Sequence, residues 1–399
     1  MRSYSLFTIV LLCVAITILD TVAFFWLQDI TRLLSSIFLR TSIHVLFWMF
    51  TFGLVTAILV LKIRMDRLKP KQRQRFISSM YGLTVSSFIP KFIFVIIISV
   101  FFFSNAVIAE SESVVLIPLI GLVSGLLPFL VIVYAIFKGL YKFKVYHVPL
   151  QHTDLKGLRI VQISDLHLGS FNAKYHVFDR AVKMINELQP HLLFFTGDLV
   201  NNYAWELEGW EETFNKLEAK IGKFSVLGNH DYGDYSTWKS EEEKKANFNA
   251  IKNFQQRIGF TLLLNEAQVI FINNKKLAIV GVENWGSPPF KQYGDLQTAL
   301  KDVKTITPKI LLSHDPSHWK EEVTKRNDIF LTLSGHTHGM QAGVSLRGKE
   351  WSPIKYKYTY WAGLYEKEGQ FLYVNRGLGW MGFPGRLGMW PEITCFDFE

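Results

Sequence analysis

The sequence predicts four transmembrane helices followed by a layered α/β domain with central sheets flanked by helices. Three observations predict it. Long apolar runs fill the first third of the chain and then stop. From about Gln151, short β-rich runs alternate with amphipathic segments. Polar motifs rich in His, Asp, Asn and Gly sit just past the ends of five of those runs.

Four apolar stretches are long enough to span a bilayer, at roughly 20 residues each. They cover about Leu6–Leu27, Ser42–Leu61, Leu83–Phe103 and Val114–Phe137. A cleaved signal peptide is the rival reading of the first. Its apolar run is longer than a usual signal core, no small-x-small cleavage site is clear, and another span follows at once. Residues 1–145 are therefore read as a four-helix transmembrane region and 151–399 as a separate soluble domain.

Charge divides along the same boundary. The chain of 399 residues has a net charge of +9. Residues 1–150 carry 14 Lys+Arg and 5 Asp+Glu, whereas 151–399 carry 29 of each. The basic excess thus belongs to the membrane region. The soluble part lacks the overall surplus expected of a nucleic-acid binder, and no nucleic-acid partner is expected.

Loop charge sets the expected orientation. The stretch from Lys62 to Arg75 carries seven basic residues and one acid, the connection between spans three and four carries Glu110 and Glu112, and Lys138, Lys142 and Lys144 follow span four. This pattern predicts a multi-pass protein of the inner or plasma membrane with the domain of residues 151–399 in the cytoplasm. Asp20 and Lys91 fall inside spans one and three. With no relay of polar partners in view, they are read as snorkelling or buried in the bundle. Pro90 is read as a kink, not a break. Cys13 and Cys395 offer neither a disulfide framework nor a cysteine metal site.

In the soluble part, Arg159–Ser164, His191–Thr196, Lys223–Leu227, Ile310–Ser313 and Ile329–Ser334 read as strands. Tyr175–Leu188, Trp205–Leu217 and 238–257 read as helices, with a further helix between the last two strands. Thr261–Val282 reads as two or three strands turned at Asn273-Asn274, and Phe371–Val374 and Ile393–Phe398 as closing strands.

Residues leaving a sheet at its carboxyl edge converge from distant positions into one cleft. The motifs are Ser164-Asp165-Leu166-His167, Gly197-Asp198, Gly228-Asn229-His230-Asp231, Ser313-His314-Asp315 and Gly335-His336-Thr337-His338-Gly339. Singly, each Asp, His or Asn is most simply a turn, cap or surface residue. Five together at strand ends point to metal. Asp165, His167, Asp198, Asn229, His314, His336 and His338 supply oxygen and imidazole donors, suiting Mn, Fe, Zn or Mg. Seven donors exceed one tetrahedral site but suffice for two divalent ions sharing a carboxylate. His44, His147, His152, His176, His191 and His318 lie outside the pattern and are read as structural.

The ordered set DLH, GD, GNHD, SHDP and GHTHG resembles the calcineurin-like metallophosphoesterase family, over about Arg159 to His338. The stretch Leu372–Gly379, with Pro391-Glu-Ile-Thr394, resembles its bacterial membrane-anchored branch. The resemblance implies a β-sandwich flanked by helices, with metals at the strand ends. It implies that Asp165, His167 and His338 hold one ion, that Asn229, His314 and His336 hold the other, and that Asp198 bridges them. His230 would reach the phosphoryl group as acid or charge stabiliser. Two ions can bring the pKa of a water toward neutrality for attack on phosphorus, grip the phosphate oxygens and offset developing charge.

Three positions depart from the pattern. Asn201 and Asn202 stand where phosphatases of the family often carry an Asp that orients the catalytic histidine and an Arg that clamps a phosphate monoester. Met340 stands where Gly is common, a change to the pocket wall more than to the chemistry. The missing Arg favours a phosphodiester or pyrophosphate substrate, and the membrane tether favours a lipid-derived one. The alternative is a non-catalytic membrane scaffold or sensor of the same fold, against which stands the full donor set; a transporter with a regulatory domain has weaker support still. The segment Trp351 to Trp390 is rich in aromatics and glycine and is read as core or cap packing, with a lipid-binding lip as the alternative and Arg376 and Arg386 as candidate phosphate contacts.

Overall fold

Helices α1 (Leu6–Thr31), α2 (Ile37–Arg64), α3 (Pro70–Ile108) and α4 (Ser113–Phe137) account for the four apolar stretches. All four are long and apolar enough to cross a membrane. The structure is a computed structural model that describes residues 5–108, 113–171, 176–288, 290–346 and 349–399. The acidic connection with Glu110 and Glu112, and Tyr175 of the expected helix, lie outside the described residues. The chain forms two compact units, one of residues up to Phe137 with Gly382–Gly385, the other of Lys138–Met381 with Arg386–Glu399.

Within the membrane unit, the basic stretch after span two is mostly helical: α2 runs to Arg64 and α3 begins at Pro70. Helix α3 continues through Pro90, so the proline does not break it. The intramembrane charges do have polar partners, contrary to the sequence reading. Lys91 Nζ donates to Asp20 Oδ2 at 2.8 Å, and Thr51 Oγ1 donates to the same oxygen at 2.5 Å. The Lys91 ammonium also lies 4.6 Å from the Phe47 ring centroid. Pairing lets both charges sit among apolar helices, where each alone is costly.

The soluble unit comprises, in chain order, β1 (Lys144–Leu150), β2 (Arg159–Ile163), α5 (His176–Glu187), β3 (Leu192–Phe195), α6 (Glu211–Phe214), β4 (Gly222–Ser225), α7 (Glu241–Arg257), β5 (Thr261–Leu262), β6 (Glu266–Ile272), β7 (Lys275–Gly281), α8 (Leu296–Ala299), β8 (Lys309–Leu312), α9 (Ser317–Glu321), β9 (Leu331–Ser334), β10 (Val344–Leu346), β11 (Lys349–Trp351), β12 (Gly363–Lys367), β13 (Gln370–Val374) and β14 (Glu392–Phe398). One sheet has the order β1-β14-β2-β3-β4-β5 and the other β12-β13-β9-β8-β7-β6, while β10 and β11 form a separate hairpin. Strands β2, β3, β4 and β5 are mutually parallel, as are β7, β8, β9 and β13. The carboxyl ends that carry the motifs therefore point one way within each sheet.

Alternation of side chains explains the layers. Ile160, Leu192, Phe194, Ile310, Leu312, Leu331 and Leu333 pack in a core shared by both sheets. Their neighbours Val161, Ile163, Leu193 and Phe195 join Phe178, Ala181, Val182 and Ile185 of α5. On the other side, Ala278, Val280 and Leu311 pack with Leu296, Trp319 and Val323. Two sheets face to face with helices outside are the sandwich that the sequence implied. Each such side chain contributes roughly 1.5–3 kcal/mol of burial.

Two differences are local. Strand β1, which falls on the expected boundary between regions, runs parallel to β14 in the first sheet. The expected helix Trp205–Leu217 is a single tight turn at Ala204–Leu207 and the short α6, separated by Gly209 at φ 80°. The Asn273-Asn274 turn does join β6 to β7, both residues having positive φ (49° and 64°), as a two-residue hairpin requires.

Candidate metal centre

Each motif begins where a parallel strand ends and the chain turns sharply. Asp165 (φ 52°), His167 (44°), Asp198 (60°), His336 (74°) and His338 (52°) all adopt the left-handed conformation that non-glycine residues avoid. Strain of order 1–3 kcal/mol at each is the kind that marks functional sites. The glycines beside them allow close approach: a Cβ at Gly228 would collide with the Asp198 carboxylate, and one at Gly335 with that of Asp165.

The five loops bring all seven expected donors together. The donor atoms of Asp165, His167 and His338 lie within 4.8 Å of one another, as do those of Asp198, His314 and His336. His167 Nε2 is 3.1 Å from His338 Nε2, which is 3.3 Å from Asp165 Oδ1. In the second group, His336 Nδ1 is 3.3 Å from His314 Nε2 and 2.8 Å from Asn229 Oδ1. One oxygen, Asp198 Oδ2, lies between the groups, 3.5 Å from His167 Nε2 and 3.3 Å from His314 Nε2. Donors bound about 2.0–2.2 Å from a common ion stand roughly 3 Å apart, so the residues fit a pair of divalent cations.

Electrostatics agree with that fit. Burial drives His167 down to about 3 and His336 to about 4, and holds His338 and His230 below the ordinary imidazole value. These rings are neutral, with lone pairs available. Burial, reinforced by the Asp198 charge, raises Asp165 to about 6. Asp198 itself stays well below the usual carboxylate range: burial acts to raise it, and the surrounding histidines outweigh that, His314 first among them. Burial would lower His314, but the adjacent Asp198 carboxylate lifts it to about 10.

The sequence did not single out the residues that orient the donors. Tyr358 Oη lies 2.8 Å from His336 Nε2, leaving Nδ1 to face the second donor group. His314 Nδ1 donates to the Thr196 carbonyl at 2.7 Å. Asp231, within the GNHD motif, accepts from the backbone N–H groups of Asp198, Leu199, Val200 and Gly228 and so ties two motif loops together. His230 N–H donates to Asp198 Oδ1 at 2.9 Å, and its Nδ1 donates to the Asn201 carbonyl at 2.7 Å. A backbone carbonyl thus does what the absent carboxylate at position 201 would do. Glu206 fixes that loop by accepting from the N–H groups of Asn201, Asn202 and Tyr203. Only Asp231 had a local signal; Tyr358 and Glu206 arrive from segments without a motif.

Two expectations change here. Arg376 and Arg386 are not exposed phosphate contacts; both are buried. Arg376 pairs with Glu392 and Glu350. Arg386 donates to the carbonyls of Gly379, Met389 and Arg376, and its guanidinium stands 3.1 Å from His338 Nδ1. They brace the wall behind His338. Part of the aromatic segment is packing, with Tyr358, Trp361, Ala362 and Met389 in one cluster, but Trp351 and Tyr356 are exposed. Met340 takes φ 55° with an exposed side chain, so replacing the common Gly imposes a backbone cost of about 1–2 kcal/mol.

Paired imidazole and carboxylate donors around one shared oxygen, at the carboxyl edges of a helix-flanked β-sandwich, define a metal-dependent hydrolase. The model of the calcineurin-like phosphoesterases matches residues 158–340, and that of a probable calcineurin-like phosphoesterase transmembrane domain matches residues 2–140. An uncharacterised metallophosphoesterase of Bacillus subtilis, YkuE, is 32% identical over 251 residues, covering 61% of this chain and 79% of the relative. A zebrafish transmembrane protein with a metallophosphoesterase domain is 30% identical, covering 60% and 53%. This chain thus spans about half the length of that vertebrate relative. The UDP-2,3-diacylglucosamine pyrophosphatase LpxG of Chlamydia trachomatis is 28% identical, covering 59% and 82%. The chain belongs to the calcineurin-like metallophosphoesterases and is a phosphoester hydrolase with a transmembrane domain.

Proposed function

We propose that the protein hydrolyses a phosphodiester or pyrophosphate drawn from membrane lipid. The observation that carries the catalytic part is the single Asp198 oxygen between two donor groups. Asp165, His167 and His338 hold one divalent cation, Asn229, His314 and His336 hold the second, and Asp198 is shared. When bound, the ions supply Lewis acidity toward the phosphoryl oxygens and acidify a water.

The chain's own groups do the rest. Tyr358, Asp231 and the Thr196 carbonyl hold the donors in place before substrate arrives. His230 has its Nδ1–H fixed on the Asn201 carbonyl, so the neutral ring presents a bare Nε2, which takes up a proton from solvent when the anionic substrate binds and passes it to the leaving oxygen as the bond from phosphorus to that oxygen breaks. Acid assistance of this kind is worth about 10²–10⁴-fold. Buried Asn202 places no charge in the site, which suits a substrate without a terminal phosphate dianion.

Two features support a lipid-derived substrate: the four membrane helices, and the exposed apolar side chains Val344, Leu346, Trp351 and Tyr356 on the segment that follows the His338 loop. LpxG supports it too, since its name specifies a diacylated pyrophosphate substrate. The distribution of Lys and Arg supports four spans in the inner or plasma membrane, with the catalytic unit cytoplasmic. Purified full-length protein is expected to cleave bis-p-nitrophenyl phosphate with Mn²⁺ and to lose that activity in EDTA. Asp198→Ala and His336→Ala are expected to abolish turnover while the circular dichroism spectrum stays unchanged. Wild-type turnover in metal-free buffer contradicts the proposal.

A further inference from the structure

A pyrophosphate carries two adjacent charged phosphoryl groups, and a site selective for it needs a cation for the second. The positions that sequence comparison would nominate do not provide one. Position 202 is a buried Asn, and Arg376 and Arg386 are engaged inside the fold. Lys244 and Lys291 both pair with Asp234.

Lys357 differs from all of these. It is exposed, and among the described residues no carboxylate pairs with it. Its ammonium lies 5.6 Å from the Phe290 ring centroid and 5.2 Å from that of Tyr358. Both rings stand edge-on to His336, with centroids 5.0 and 5.5 Å away at interplanar angles of 87° and 79°. Tyr358 is also hydrogen-bonded to that histidine. The charge is therefore carried on two rings that both pack against His336. Contacts with ring faces at an exposed site are worth only about 0.5–1 kcal/mol, enough to bias the side chain without neutralising it.

We infer that Lys357, seated on Phe290 and Tyr358, binds the phosphoryl group next to the one under attack, and that the site is selective for pyrophosphates. With a ring between Lys357 and His336, the two do not grip oxygens of the same phosphate. The ammonium meets the neighbouring one, where a charge-assisted hydrogen bond forms. This rests on the phosphoesterase reading above and adds the substrate class to it.

The test uses full-length, Mn²⁺-loaded protein in detergent and calorimetric titration with two probes, methylenediphosphonate and orthophosphate. The wild type is expected to prefer the diphosphonate. Lys357→Ala is expected to reduce the ratio of the two affinities about tenfold, and Lys357→Arg to retain it. A ratio unchanged in Lys357→Ala overturns the inference, as does a wild type that cleaves bis-p-nitrophenyl phosphate yet binds both probes equally. A wild type that neither cleaves the diester nor binds either probe refutes the underlying phosphoesterase reading instead.

Discussion

At the scale of single residues, the donors are legible in the sequence and their supports are not. Asp165, His167 and His336 announce themselves because a His or Asp directly after a β-rich run, repeated five times, has few simple explanations. Tyr358 has no such signal, yet its hydroxyl decides which nitrogen of His336 faces the cluster. Tyr358→Phe keeps the ring packing and removes that hydrogen bond. Mn²⁺ affinity is expected to fall about 10–100-fold, as for other groups that orient a ligating histidine. Equilibrium titration of the metal checks this, and an unchanged affinity removes Tyr358 from the account.

Protonation gives a second residue-scale test. In the metal-free site His314 holds its proton to about pH 10, because Asp198 outweighs the effect of burial, and Asp165 holds its own to about pH 6. A cation must displace these protons to reach the donors. Mn²⁺ affinity should therefore rise with pH, through Asp165 and His314 below about pH 6 and through His314 alone from there to about pH 10. Calorimetry in buffers of different ionisation enthalpy measures the protons released. Binding that releases none at pH 7 contradicts the assignment of His314 as a donor.

At the scale of elements, three of the strands that carry motifs, β3, β8 and β9, were legible because they are fully buried on both faces and read as short apolar runs. Strand β1 was not, because KVYHVPL mixes exposed and buried positions, contains a proline, and follows a membrane span directly. Its role shows only through β14, far away in sequence, with which it makes seven paired positions. Val148 and Leu150 are its buried anchors. A soluble fragment of residues 151–399 loses them and exposes the edge of β14. Compared with a fragment of 138–399, it is expected to be less stable by about 3–6 kcal/mol and prone to aggregation. Denaturant titration of the two fragments decides; equal midpoints mean that β1 is dispensable. The misjudged helix at Trp205–Leu217 has a different cause: its apolar spacing is helical, but Gly209 turns left-handed and ends the first turn.

At the scale of the whole molecule, composition gave the division into a membrane part and an α/β part, because apolar length and charge asymmetry are global properties. What it could not show was pairing across helices. Asp20 and Lys91 are 71 positions apart and meet through Thr51's neighbourhood in the bundle. Lys91→Met leaves Asp20 without its counter-ion, and the protein in detergent is expected to lose on the order of 3 kcal/mol of stability. The double replacement Asp20→Leu with Lys91→Met should recover most of it. Thermal unfolding of the three proteins checks this, and a single variant as stable as wild type would mean that the pair contributes nothing.

The most direct measurement counts the ions that the reaction needs. Metal-free wild-type protein is titrated with Mn²⁺ while bound metal and bis-p-nitrophenyl phosphate cleavage are recorded together. The account predicts two ions per chain at saturation, with full activity requiring both. Cleavage that is maximal with no ion, or with one ion on every chain, contradicts it.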